Sequence, residues 1–114
     1  MMEYTRDLVI RKAKQTFPNA NINYIMESLD LYGQVDQETS RERVQLAILK
    51  LCEGDYDKFV KHIHHAKLDS RDILWPAEEP NLTAVARNLP KMSEEEIKKL
   101  QDLDRKQYQD WLNE

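Results

Sequence analysis

The stretch Arg43-Val44-Gln45-Leu46-Ala47-Ile48-Leu49-Lys50-Leu51-Cys52-Glu53-Gly54 decides the fold of this 114-residue chain. Apart from its ends, only Gln45 and Lys50 are polar. On a helix the apolar side chains cover nearly the whole circumference, and such a helix normally lies inside a bundle. The same residues are also compatible with a buried strand. We expect a central helix at about residues 40–53, with neighbours packed on several of its sides.

The composition favours helices. Charged residues make up 33% of the chain, hydrophobic residues 40%, and there are only two glycines. Sequences that are rich in Glu, Lys and Leu and poor in Gly suit helices with solvated outer faces. The length is sufficient for one hydrophobic core without disulfides or metals as staples. We therefore predict an all-α orthogonal bundle of five or six helices.

Charge and cysteine content limit the kinds of partner and the location. The net charge of −4 argues against a surface for nucleic acid or for anionic membranes, because clustered Lys and Arg drive phosphate binding. Cys52 is the single cysteine, so no intramolecular disulfide is possible. The N-terminus lacks a signal-peptide core, and no apolar run approaches the roughly 20 residues that span a bilayer. These features predict a cytoplasmic protein that binds neither nucleic acid nor membrane.

Local signals mark the first three helices. Thr5 is a suitable N-cap for the first helix, which Phe17-Pro18 ends. We expect Gly33 to end the second helix in the left-handed conformation, and the central helix to end at Gly54. Thr39-x-x-Glu42 has the form of a capping box at the start of the central helix. The basic residues of the first helix are expected to lie largely away from its inner face; they are Arg6, Arg11, Lys12 and Lys14.

The second half of the chain is divided by Asp55 and by prolines. Asp55 is expected to cap a fourth helix that ends near Leu68, and a short fifth helix follows through Trp75. Pro76 should halt or bend that fifth helix unless it lies in the first turn. We expect residues 1–80 to form a helical core domain and residues 81–92 a linker.

A last helix at residues 93–114 is indicated by the capping box Ser93-x-x-Glu96. Its apolar residues fall within about half of the circumference. This face consists of Ile97, Leu100, Leu103, Tyr108, Trp111 and Leu112. It either packs on the core or binds another chain, and the sequence leaves both options open.

Familiar catalytic motifs are missing from the sequence. The two glycines cannot form a phosphate-binding loop, and Glu-x-x-His, Cys-x-x-Cys and His-Glu-x-x-His do not occur. Cys52 with a histidine could form a nucleophile and base, but a thiol in a core helix normally serves as a small apolar group. We therefore predict that the protein is not an enzyme, has no catalytic residues and needs no cofactor.

One histidine-rich face is a candidate metal site. His62, His65 and Asp69 stand at i, i+3 and i+7, so one helical face would carry two imidazoles and a carboxylate. The alternative is that the histidines are solvated and Asp69 caps a helix. Binding of a metal or a small molecule on this face is our second hypothesis for the function.

Charged and aromatic residues between Asp69 and Glu78 suggest an interface, since tryptophan and arginine are favoured binding anchors. The alternative is an ordinary helix start with a core tryptophan. Our leading hypothesis is a non-enzymatic protein-interaction or regulatory module that binds a protein partner or a second copy of itself. The candidate partner-binding residues are Asp69, Arg71, Asp72, Trp75, Glu78, Tyr108 and Trp111.

Four segments carry a resemblance to known sequences. They are Leu29-Asp30-Leu31-Tyr32-Gly33, residues 42–51, Gly54-Asp55, and Ala66-Lys67-x-Asp69-x-Arg71-Asp72-Ile73-Leu74-x-x-Ala77-Glu78-x-Pro80. Over about residues 25–80 the chain resembles a group of small bacterial proteins of uncharacterised function. It departs from the group at Ser70, where an aromatic residue is expected, and at Trp75-Pro76. The resemblance implies a bacterial origin and a helical domain, and it implies no activity, cofactor or site.

Overall fold

The computed structural model describes residues 4–114, which form α-helices and one 3-10 helix and contain no strand. The all-α bundle is therefore confirmed. The helices are α1 (Arg6–Thr16), α2 (Ile22–Leu29), α3 (Arg41–Cys52), α4 (Tyr56–Leu68), α5 (Arg71–Glu78), α6 (Pro80–Ala84), the 3-10 helix (Ala86–Lys91) and α7 (Glu94–Asn113). There are more helices than predicted because the expected linker at 81–92 is itself mostly helical.

The central position of α3 is confirmed. This helix packs against α1, α4 and α5, and its side chains from Val44 to Leu49 are all buried. Gln45 is buried with them, and its Nε2 donates to the carbonyl oxygens of Leu29 at 3.1 Å and Tyr32 at 3.2 Å. The one polar side chain inside this run therefore binds backbone acceptors that the end of α2 leaves free.

The structure confirms three of the predicted helix caps and contradicts a fourth. Thr5 and Asp55 accept cap hydrogen bonds from α1 and α4, and the Ser93 capping box is present. The capping box predicted at Thr39-x-x-Glu42 is wrong. Ser40 precedes α3 in a left-handed conformation with φ of 53° and makes no side-chain cap bond. The carbonyl oxygen of Thr39 instead accepts a hydrogen bond from the buried Tyr32 hydroxyl at 2.9 Å.

Both glycines have positive φ, +105° at Gly33, where the left-handed conformation was predicted, and +77° at Gly54. Helix α2, however, ends at Leu29 and not at Gly33, and a tight turn fills the interval. A Cβ at Gly54 would stand 3.2 Å from the carbonyl oxygen of Thr16. Gly54 therefore serves both the turn after α3 and the close approach of α1.

Helix α5 continues through Pro76 to Glu78, so of the two predicted outcomes, a halt or a bend, the halt is wrong. A proline inside a helix removes one backbone hydrogen bond. Ile73 and Ala77, which flank Pro76, are 1% and 0% exposed and belong to the core. Their burial holds the helical path on both sides of the missing bond.

The C-terminal part of α7 packs into the core, where Tyr108 is 5% exposed and Leu112 is 2% exposed. Leu103 was predicted on this inner face and is 42% exposed. Its place is taken by Asp104, which is 1% exposed. Consecutive residues of a helix are separated by about 100°, so burying Asp104 turns Leu103 toward solvent.

The end of α7 docks on α1 through polar groups. Lys12 was expected to lie away from the inner face and is 1% exposed, with its Nζ 4.3 Å from the centre of the Trp111 ring. Its ammonium donates to the Trp111 carbonyl, and Arg11 donates to the next carbonyl, that of Leu112. Cations are favourable at a helix C-terminus because its last carbonyls lack partners.

Candidate functional site

A shallow groove lies along the outer face of α5. It has a volume of about 310 Å³. One of its lining side chains is the Trp75 indole, which is 48% exposed and whose N–H donates to Glu79 Oε2 at 3.0 Å. We call it the Trp75 groove, and it is lined by Arg43, Arg71, Leu74, Trp75, Glu78 and Glu79.

Ion pairs fix the charged rim of the Trp75 groove. Arg43 donates to both carboxylate oxygens of Glu78, at 2.8 and 2.6 Å. Arg71 likewise holds both oxygens of Asp69, at 3.0 and 2.9 Å. The hydrogen bond to Glu78 raises the pKa of Arg43, and the hydrogen bond from Arg71 lowers the pKa of Asp69. Each guanidinium group therefore forms a two-point ion pair with a neighbouring carboxylate.

The structure brings together part of the predicted partner-binding set. Arg71, Trp75 and Glu78 line one groove, and Asp69 orients Arg71. Asp72 faces α4, where it lies 3.2 Å from His65 Nε2.

The two aromatic residues predicted on α7 do not join this surface. Tyr108 is buried, and Trp111 is half-buried against Lys12. The two rings pack edge to face at 5.6 Å. They hold α7 on the core, which is one of the two options that the sequence left open.

A second, larger cavity of about 710 Å³ lies between the C-terminal end of α5 and helix α7. We call it the Tyr108 cavity, and it is lined by Tyr4, Glu78, Glu79, Gln101, Asp104, Arg105, Tyr108, Gln109 and Asn113. Glu78 and Glu79 separate it from the Trp75 groove, since both residues line both depressions. Sequence reasoning did not find this cavity, because α5 and α7 are far apart along the chain.

The Tyr108 hydroxyl is buried at this cavity and has no hydrogen-bond partner among residues 4–114. Burial raises the pKa of Tyr108, and the nearby charge of Glu78 raises it further. Burial and Glu78 also raise the pKa of Tyr4. Both phenols therefore stay protonated at neutral pH and can donate hydrogen bonds.

Asp104 organises the wall of the Tyr108 cavity. Its Oδ1 accepts from the backbone N–H of Asn81 at 3.1 Å and from the side-chain amide at 2.7 Å, and its Oδ2 accepts from the N–H of Leu82 at 3.2 Å. These groups lie in the first turn of α6, where backbone donors lack helical partners. The sequence did hold a signal: Asp104 stands four residues after Leu100 and four before Tyr108, on the apolar stripe.

The predicted metal site is not assembled. Among residues 4–114, no group of three or more His, Cys, Asp or Glu side chains is placed to hold a metal ion. His65 pairs with Asp72, and Asp69 is held by Arg71. His62 is half-buried, and its pKa is lowered by burial and then by His65.

Cys52, the candidate nucleophile, is fully buried. Burial raises the pKa of its thiol, and the Sγ donates to the Leu49 carbonyl at 3.2 Å. A thiol with a raised pKa carries little of the thiolate form that reacts. Its position fits the structural interpretation made from the sequence.

Comparisons of the chain with protein-family models, with curated proteins and with solved structures gave no match. The resemblance to small bacterial helical proteins therefore stays a prediction. In the part of the chain that the structure describes, no helix combines the length and the apolar character needed to cross a membrane.

Proposed function

We propose that this protein is a non-enzymatic protein-interaction or regulatory module and that the Trp75 groove binds its protein partner. The observation that supports this proposal is the half-exposed Trp75 indole beside Arg71. Tryptophan and arginine are the residue types that contribute most often and most strongly to binding free energy at protein interfaces.

The groove is held in shape before binding. Trp75 is fixed by its hydrogen bond to Glu79, and Arg71 by its two bonds to Asp69. Immobilising a flexible side chain on binding costs about 0.5–1.5 kcal/mol. The hydrogen bonds that these two side chains already make would reduce that cost for a partner.

The ion pairs at the rim of the Trp75 groove indicate which kind of partner would bind there. Arg43 is paired with Glu78 and Arg71 with Asp69, so we expect most of the favourable free energy to come from covering the Trp75 and Leu74 side chains, with the N–H donors that Arg71 leaves unused adding to it. The partner segment should therefore present an apolar or aromatic side chain. The net charge of −4 disfavours a second copy of this chain and favours a partner with a neutral or basic surface.

The proposal is tested by affinity capture from a lysate of the source organism, followed by binding measurements with the captured protein. Three full-length proteins are compared: wild type, Trp75→Ala and Tyr24→Ala. Tyr24 lies on α2, is 56% exposed and serves as the matched aromatic control. Circular dichroism confirms that all three are folded.

We expect a stoichiometric partner that Tyr24→Ala binds normally and that Trp75→Ala binds at least about 30-fold more weakly, as for an interface hot spot. A partner that binds Trp75→Ala as tightly as wild type would refute the Trp75 groove as the binding site. Light scattering of the isolated protein checks self-association, and a dimer disrupted by Trp75→Ala would contradict the proposal of a separate partner.

A further inference from the structure

Two exposed tyrosines meet at the surface between α2 and α4. The hydroxyl oxygens of Tyr24 and Tyr56 are 2.8 Å apart, a hydrogen-bond distance, although the residues are separated by 32 positions in the sequence. Their rings are stacked, with centres 6.1 Å apart and planes inclined by 25°. Tyr24 is 56% exposed and Tyr56 is 40% exposed, so reagents in solution can reach both phenols. We call these two residues the tyrosine pair.

The backbone on both sides of the tyrosine pair is held by the core. Tyr24 is followed by Ile25, which is 1% exposed. Tyr56 begins α4 directly after the cap residue Asp55, and its ring packs against the buried Phe59 with ring centres 6.0 Å apart. The fold therefore brings the two rings together, whereas closing so long a loop is entropically unfavourable in the unfolded chain.

We propose that the tyrosine pair is a site of oxidative modification, at which a one-electron oxidant produces an intramolecular dityrosine cross-link. In a dityrosine a carbon–carbon bond joins the ring positions next to the two hydroxyl groups, which then lie side by side. The hydrogen bond already places the hydroxyl-bearing edges of the two rings together. Exposed side chains change rotamer on the nanosecond timescale, so the rings can make the remaining rotation. Holding two reactants in contact raises the rate of their coupling above that between separate molecules.

The chemical change is a two-electron oxidation. Each phenol loses one electron, and its O–H bond breaks as the proton passes to water. The two phenoxyl radicals then form the carbon–carbon bond, and the hydrogens on the joined carbons move to the oxygens, which restores both phenols. A haem peroxidase acting with hydrogen peroxide is a suitable class of oxidant, because the peroxide takes up the two electrons and two protons and becomes two water molecules. The cross-linked protein is lighter by two hydrogen atoms.

The other three of the five tyrosines are less accessible to an oxidant. Tyr32 is 1% exposed, and its hydroxyl donates to the Thr39 carbonyl. Tyr108 is 5% exposed, and Tyr4 is half-buried. Oxidation from solution should therefore act first on the tyrosine pair, where each radical has another accessible phenol beside it.

The cross-link would tie α2 to α4 and close a loop that contains α3. A cross-link between distant positions stabilises a protein mainly by restricting the unfolded chain. The cross-linked protein should therefore unfold at a higher urea concentration. Neither tyrosine lines the Trp75 groove or the Tyr108 cavity, so this proposal does not depend on the proposed function.

The test is oxidation of the dilute full-length protein by a haem peroxidase with hydrogen peroxide. Four proteins are compared: wild type, Tyr24→Phe, Tyr56→Phe and Tyr4→Phe, which removes a tyrosine outside the pair. Circular dichroism confirms that all four are folded. Dityrosine fluorescence of the monomer band on a denaturing gel measures the intramolecular yield, and mass spectrometry of proteolytic fragments identifies the joined residues.

We expect wild type and Tyr4→Phe to give a monomer in which Tyr24 is joined to Tyr56, with a yield at least about tenfold above that of either pair variant. Equal yields in wild type and Tyr24→Phe, cross-links that exclude these two residues, or coupling only between separate molecules would overturn the proposal.

Urea unfolding of the purified cross-linked monomer examines its effect on the fold. We expect a higher midpoint than for the untreated protein, and no rise for Tyr24→Phe treated in the same way. An unchanged or lower midpoint in the cross-linked protein would overturn the inference that the link stabilises the packing of α2 and α4.

Discussion

Replacing Asp104 with alanine should destabilise the fold more than any other loss of a single polar side chain on α7. Asp104 is 1% exposed, and its carboxylate accepts three hydrogen bonds from Asn81 and Leu82. In the Asp104→Ala protein two backbone N–H groups of the first turn of α6 lose their acceptor. The Leu82 side chain is 4% exposed, which limits the access of water to its backbone N–H.

The magnitude follows from these contacts. A hydrogen bond to a charged group contributes about 1.5–3 kcal/mol, so simple addition over three bonds would exceed about 4.5 kcal/mol. Bonds that share one carboxylate are not additive, and the adjoining Tyr108 cavity admits water to part of the site. We therefore expect Asp104→Ala to lower the free energy of unfolding by about 3 kcal/mol. Asp104→Asn should cost less, because one acceptor oxygen remains.

The assay is urea unfolding followed by far-UV circular dichroism, with the slope of the transition compared between proteins. The control is Asp102→Ala on the same helix. Asp102 has a side chain that is 57% exposed and 3.9 Å from Arg105, so its loss should change stability by less than about 0.5 kcal/mol. If Asp104→Ala also stays within about 0.5 kcal/mol of wild type, the carboxylate does not hold α6 on α7 and the reasoning is refuted.

Two further predictions concern α7 and the turn before α3. Leu112→Ala should lower the free energy of unfolding in urea by about 2–4 kcal/mol and Leu103→Ala by less than about 1 kcal/mol, because Leu112 is buried and Leu103 is 42% exposed. Equal losses of stability would contradict this orientation of α7. The hydrogen bond from Lys67, at 2.7 Å, lowers the pKa of Glu38 in the folded protein. This carboxylate therefore stabilises the fold fully above the ordinary glutamate pKa of about 4.3. The stabilisation is lost as the pH falls through the lower pKa of the folded state. Glu38→Gln should therefore be less stable than wild type at neutral pH and lose less stability in an acid titration, and parallel losses in the two proteins would contradict this role.

How far the sequence predicts the site depends on the distance between the residues involved. Arg71 and Trp75 lie four positions apart on one helix, so their common surface follows from helical spacing. The contribution of Arg43 to that surface does not follow from helical spacing, because Arg43 pairs with Glu78, which lies 35 positions away in the sequence. The Tyr108 cavity was missed for the same reason, since its walls come from separate parts of the chain.

Local signals determined the helices of this protein. Thr5, Asp55 and Ser93 offer side-chain oxygens to nearby backbone N–H groups, and the apolar run within residues 43–54 requires burial on all sides. These effects act over a few residues and are legible in the sequence alone. Gly33 and Gly54 mark left-handed turns for an equally local reason.

Only the tertiary structure decided which polar side chains are buried and which apolar ones are exposed. Lys12 is buried because it meets the Trp111 carbonyl 99 positions later, and Asp104 because it meets Asn81 across 23 positions. Trp75 remains half-exposed because Ile73 and Ala77 already occupy the core side of α5. The free energy of burying a charge depends on a partner in space, and the amino-acid sequence specifies that partner only through the complete fold.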